Sequence, residues 1–134
     1  MEREQFHPSP LTLHPSASGR IRALINRPYE TAHDRPCWAF ARDCLGLFGT
    51  DLPVSPRKGL IRVAYPWVGG VVMFAAGFDW HCGVIWPDGL HFIHAMPPRE
   101  ERPNYIEIRQ EQLHAEPWRQ IIEGYYLPKD QPPT

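Results

Sequence analysis

Sixteen prolines in 134 residues limit how long any regular element of this chain can be. Proline breaks a helix interior and removes a donor from a central strand. The chain must therefore be built of short elements joined by stiff connections. Pro36 stands before an apolar run from Cys37 to Phe48 that contains Trp38, Phe40, Leu45 and Leu47. This spacing predicts a helix over 37–48, begun by Asp34 or Arg35 with Pro36 in its first turn and stopped by Gly49. So many apolar positions predict burial nearly all round. Leu52-Pro53 closes the unit, and residues 26–36 before it read as a loop.

The rest of the chain reads as β-structure. Val71–Ala75 is a short apolar strand with a turn at Ala76-Gly77. His81–Trp86 and Leu90–Ala95 flank Pro87-Asp88-Gly89, two β-prone runs around a turn sequence, which predicts a hairpin. Tyr105–Arg109 is a further strand, Pro117 breaks the stretch after it, and Gln120–Leu127 fits either a short helix or a closing strand. A helix first and an antiparallel sheet after it is α+β order. The length suits one domain, expected over residues 20–134. A short helix opens it at Arg20–Ile25, and residues 1–19, rich in Pro, Ser and His, precede it as an arm with little structure of its own.

Net charge is −1 with no run of Lys or Arg, so the electrostatic footprint of a nucleic-acid or anionic-membrane binder is missing. No apolar stretch approaches the ~18–20 residues of a membrane span. Met1–Pro8 has no hydrophobic signal core, from which a cytoplasmic start is expected. The three cysteines, 37, 44 and 82, form no CxxC pair. That argues against a disulfide framework and a zinc-finger spacing.

Their positions distinguish them. A thiol nucleophile needs a site that favours thiolate, a base in reach and a group that orients the base. Cys37 falls where the helix should begin, so its sulfur faces the positive end of the helix dipole. Cys44, seven residues on, is two turns into an apolar helix and reads as a buried, inert thiol. Cys82 lies on the opposite strand face from its neighbour His81. With a two-residue turn at Pro87-Asp88, His81 would stand directly opposite His94 on one face. A bulge at Gly89 would shift that register by one residue.

Cys37-Trp38-Ala39-Phe40-Ala41-Arg42, closed by Phe48-Gly49-Thr50-Asp51-Leu52-Pro53, resembles the nucleophile helix of the NlpC-type cell-wall peptidases, in particular their phage branch. Gly70–Phe74 resembles the strand before the family's histidine. His81-Cys82-Gly83-Val84-Ile85 resembles its His-x-Gly strand, Phe92–Ala95 its second histidine strand, and Trp118 through Pro128 its closing strand in phage members. The resemblance covers about residues 26 to 128. It departs from the family at Pro36, where an aspartate is usual, and in the short Tyr29–Cys37 loop. Asp43-Cys44-Leu45-Gly46-Leu47 also matches the family's Asp-Cys-x-Gly-Leu, but it leaves only seven residues before Leu52-Pro53, too few for the helix.

The resemblance implies a papain-like α+β core, a cysteine-bearing helix packed on an antiparallel sheet. It implies Cys37 as nucleophile, His81 as general base, and His94 as the residue orienting it. Tyr29 would line the oxyanion side, and Trp38 would sit beside it in contact with substrate. The substrate would be a peptidoglycan stem peptide, cut by resemblance between D-glutamate and diaminopimelate, with no cofactor. The phage branch implies partners in a tail hub or baseplate, and a passage from host cytoplasm to virion tail. Two other readings stand beside it: a tail-tip component with little turnover, and a zinc site built from Cys37, His81 and His94.

Overall fold

A hairpin organises the sheet. The structure, a computed structural model, describes residues 15–32, 35–47, 56–67, 69–76, 79–86, 88–98 and 100–129. Among them run α1 (Pro15–Arg22), α2 (Pro36–Leu47), a single turn α3 (Pro56–Gly59), β1 (Leu60–Val63), β2 (Val71–Ala76), β3 (Asp79–Ile85), β4 (His91–Met96), β5 (Glu107–Gln112), a 3-10 turn (Trp118–Ile121) and β6 (Ile122–Pro128). The strands form one sheet in the order β1-β6-β2-β3-β4-β5, and every neighbouring pair is antiparallel. The fold is α+β. The helix bearing Cys37 is the second among the described residues, preceded by α1, which straddles the boundary drawn at residue 19. The stop signals expected at Gly49 and Leu52-Pro53 lie outside the described residues, as do positions 1–14.

The β3–β4 turn is longer than expected. Trp86 N–H donates to the His91 carbonyl (2.9 Å) and Gly89 N–H to the Trp86 carbonyl (2.8 Å). Asp88 Oδ1 accepts from the amides of Leu90 (2.8 Å) and His91 (3.1 Å), the self-capping that suits aspartate to turns. Gly89 takes a left-handed φ of 71°, which glycine adopts without steric cost. Four residues thus separate Trp86 from His91, and the ladder pairs Val84 with Ile93 and Ile85 with Phe92.

Alternation along the strands splits the core in two. One face of the sheet carries Val71, Cys82, Val84, Ile93, Ala95 and Ile108 against Trp38, Phe40, Ala41, Cys44 and Leu45 of α2, with Ile21 of α1 joining them. The other gathers Val72, Phe74, Ile85, Phe92 and Leu113 under Trp118 and Ile121. Burial of α2 is continuous from Cys37 to Ala41 and then opens at Asp43 and Gly46. Strand β5 would be a bare edge, but Asn26 N–H donates to the Ile108 carbonyl (2.7 Å), Ile108 N–H to Arg27 (2.9 Å) and Tyr29 N–H to Ile106 (2.8 Å). The loop before α2 therefore covers an edge that would otherwise invite pairing. Gln120–Leu127, left between helix and strand, contains both: the end of the 3-10 turn and most of β6. No helix among the described residues is long and apolar enough to cross a membrane.

Candidate active site

Cys37 occupies the second position of α2, behind Pro36, whose missing N–H costs nothing there. The Arg35 carbonyl accepts from Trp38 N–H (3.1 Å) and Ala39 N–H (3.0 Å) and ties off the first turn. The thiol of Cys37 is held well below the ordinary range. A hydrogen bond from the Cys82 side chain is the largest cause, then a hydrogen bond and charge from His81 and a bond from the Cys82 backbone N–H, all against the opposing effect of burial. Cys82 itself is pushed far up, by burial first and then by its bond to Cys37. It therefore remains a thiol and donates its proton to the Cys37 sulfur. Cys44 is pushed up strongly by burial, as expected for an inert core thiol. Of the three free cysteines, only Cys37 is in a site that favours thiolate.

His81 Nε2 lies 2.7 Å from His94 Nδ1, with the rings edge to face at 4.9 Å. Direct opposition is corrected by the longer turn: the observed pairs, Val84 with Ile93 and Ile85 with Phe92, run two residues out of the register that would set His81 against His94. The shift is two residues, so the side-chain face is preserved and the two histidines meet diagonally. With Nε2 committed to His94, the nitrogen that His81 has left for Cys37 is Nδ1. The sequence also put Cys82 on the face away from His81, and it does lie in the core beneath α2. There it serves Cys37 as a hydrogen-bond donor.

Two residues that sequence reasoning missed complete the cluster. His94 has no exposed surface, and its second nitrogen, Nε2, lies 3.4 Å from Glu111 Oε2. Glu111 is held below the usual carboxylate range, first by this hydrogen bond and also by a bond from the Trp118 side chain. The Trp118 ring stacks on His81 at 6.0 Å and meets His94 edge-on at 5.0 Å, closing the site on the side away from α2. His94 is kept low in pKa, mainly by burial. Glu111 sits on β5, with Phe92 as its cross-strand partner while Arg109 pairs with His94. No local pattern marks it, since only the pairing of β4 with β5 brings residues 94 and 111 together.

The other two expected site residues are placed differently. Trp38 is fully buried in the larger core, so the expected contact with substrate gives way to a packing role beneath the helix start. The Tyr29 hydroxyl donates to Asp43 Oδ2 (2.7 Å), and its ring packs edge-on against Phe40 at 5.3 Å. Asp43 is six residues along α2 from Cys37, about 9 Å at helical rise, so this hydroxyl is tied to the middle of the helix instead of its start. Beside the helix start, Arg35 pairs with Asp79 and lies over the Trp80 ring at 4.5 Å.

A metal centre built from Cys37, His81 and His94 is not formed. The two imidazoles turn Nε2 of His81 and Nδ1 of His94 toward each other at 2.7 Å, and among the described residues no group of three or more His, Cys, Asp or Glu is arranged to hold a metal.

No protein-family model and no curated protein matches this chain. In fold it is similar to a solved lipoprotein-like protein of the NLP/P60 family from Staphylococcus aureus. The TM-score is 0.64 at 14% identity, over 95% of this chain and 44% of the other. The chain thus spans less than half the length of that protein, and the likeness is one of fold: α+β, antiparallel and NlpC/P60-like.

Proposed function

We propose that the chain is a cysteine hydrolase that cleaves an amide bond of a peptidoglycan stem peptide. The observation that carries this reading is the linked set at the start of α2: a thiol held toward thiolate by its neighbours, next to a histidine whose far nitrogen is fixed 2.7 Å from a second, buried histidine. Side-chain geometry of this kind is what activates a sulfur nucleophile. Cys37 S⁻ attacks the amide carbonyl while His81, protonated on Nδ1, gives that proton to the leaving amine. Water, deprotonated by His81, then attacks the thioester, releasing the acyl group as the acid and restoring the Cys37 thiolate beside protonated His81, with no cofactor involved. The Cys37 amide at the helix start is the donor proposed for the oxyanion. The NLP/P60-like fold supports a cell-wall substrate, and the D-glutamyl–diaminopimelate bond is the one the family resemblance favours.

The deciding experiment incubates purified stem-peptide fragments with the wild-type protein, Cys37→Ser and His81→Ala, and reads new amino termini by mass spectrometry. Release by wild type alone supports the reading. A reactive Cys37 with no release from any stem peptide would point instead to a tail-tip component without turnover. His94→Asn or Gln, which keep an acceptor for His81, should retain more activity than His94→Ala. Equal loss in all three, with folding intact, would remove the orienting role. The likeness of Trp118–Pro128 to phage members supports a place on a phage tail hub or baseplate, entered from the host cytoplasm. Mass spectrometry of purified particles, beside a particle-free lysate fraction, tests that location.

A further inference from the structure

We infer that Glu111 is a positioning residue that sets which way the protons run through the two histidines, acting on His81 and Cys37 through His94. Burial sets the constraint. A ring with no solvent contact must satisfy both nitrogens from protein groups, and His94 offers Nδ1 to His81 and Nε2 to Glu111. An ionised carboxylate can only accept. His94 therefore carries its proton on Nε2, and its Nδ1 holds a lone pair. Between the two rings the donor must then be His81 Nε2–H. That leaves His81 Nδ1, the nitrogen not taken up by His94, free to take the thiol proton or to hold it against the thiolate.

Remove the carboxylate and this direction is no longer imposed. With its proton on Nδ1, His94 would donate to His81 Nε2, and a neutral His81 would then present N–H to Cys37. In that form it can take no proton from the sulfur. A protonated His81 would meet His94 with two N–H groups facing each other, so the ion pair with Cys37 would lose its support. Trp118 braces the same carboxylate with its indole N–H and covers both rings. Among the described residues, the other charged or titratable groups nearby are Arg109, 4.0 Å from Glu111 Oε2 and 3.8 Å from Glu107, with Arg35, Asp79 and Cys82 around the far end. None of these reaches His94 Nε2 within hydrogen-bond distance in the structure, so the direction falls to Glu111.

This rests on the hydrolase reading for its purpose, but its test needs no substrate. Long-range proton–nitrogen correlation spectra of histidine-labelled protein report which ring nitrogen carries the proton. In the wild type His94 should show Nε2–H and a bare Nδ1. The reverse would overturn the inference without any variant. The second measurement is the pH profile of Cys37 alkylation by iodoacetamide. Glu111→Ala should move its midpoint up by about one pH unit, roughly a tenfold slower reaction on the acid side. Glu111→Gln, whose amide oxygen can still accept from His94, should keep the His94 tautomer and lose only about two- to threefold. A Glu111→Ala protein that folds with the wild-type tautomer and an unchanged profile would reduce Glu111 to a structural role. If Glu111→Ala fails to fold, the glutamine variant decides: a tenfold loss there, or a reversed His94 tautomer, contradicts the inference. Failure of stem-peptide cleavage with the tautomers as stated would sink the hydrolase reading and leave this one standing.

Discussion

Substituting Gly83 by alanine should destabilise the protein and disturb the histidine pair together. A Cβ at this position would lie 2.5 Å from Phe92 Cδ2, 3.3 Å from its Cε2 and 3.2 Å from the Ile93 carbonyl oxygen. Ordinary carbon contacts need about 3.5–4.0 Å, so the ring would have to retreat by roughly 1 Å. It has nowhere to go: Phe92 is fully buried, hemmed by the rings of Phe74 at 5.0 Å, His94 at 4.9 Å and Trp118 at 5.3 Å. Overpacking of this kind costs about 1–3 kcal/mol. The lost freedom of glycine in the unfolded chain returns up to ~1 kcal/mol. A net loss of about 1–2 kcal/mol remains, which for a domain of this size lowers Tm by roughly 3–10 °C. Urea titration with a thermal scan measures it. Phe92→Leu provides the control, because removing the ring removes the clash: in that background the alanine should cost at least about 1 kcal/mol less. A neutral Gly83→Ala, or costs that simply add in the double variant, would refute the close approach as the reason for glycine here.

The site and its turn carry three more expected outcomes. Limiting iodoacetamide near pH 6 should label Cys37 ahead of Cys44 and Cys82, because an ordinary thiol is only about 0.3% ionised there while Cys37 stays largely thiolate; peptide mapping reads the adduct, and labelling of either other cysteine first would contradict the assignment. Cys82→Ala removes the largest influence favouring the Cys37 thiolate, so the alkylation midpoint should rise, whereas Cys82→Ser, which keeps a donor, should raise it less. Asp88→Ala strips two backbone amides of their acceptor and should cost about 1 kcal/mol in urea titrations, with little change in Cys37 reactivity.

The readable parts of this fold are those with local causes. The hairpin comes from Pro87-Asp88-Gly89 between apolar runs, and α2 comes from Pro36 and the apolar density after it. The turn length was not readable, since it depends on Asp88 accepting two amides rather than one. The error it introduced was two residues, and an even shift keeps every side chain on its face. That is why His81 and His94 could be paired correctly from a wrong register. β1 escaped notice because Leu60–Val63 is four residues with no turn signal of its own. Glu111 escaped because Glu-Ile-Arg-Gln-Glu-Gln on β5 has one apolar residue, and its face is decided by β4. Trp38, expected at the substrate from the family resemblance, misled for another reason: one residue along a helix from Cys37 turns the side chain by about 100°, here into the core.

The sheet order has a kinetic consequence. Among the described residues β1 pairs only with β6, and β6 lies between β1 and β2. Leu60 must therefore wait for Pro128, a closure across about half the chain, and contacts so distant slow folding. Until residues 122–128 have left the ribosome, β1 has no partner and the outer edge of β2 stays open. A single late insertion fills both vacancies at once. A nascent chain stalled just before Ile122 therefore presents two unpaired edges, the state in which strands most readily find the wrong partner.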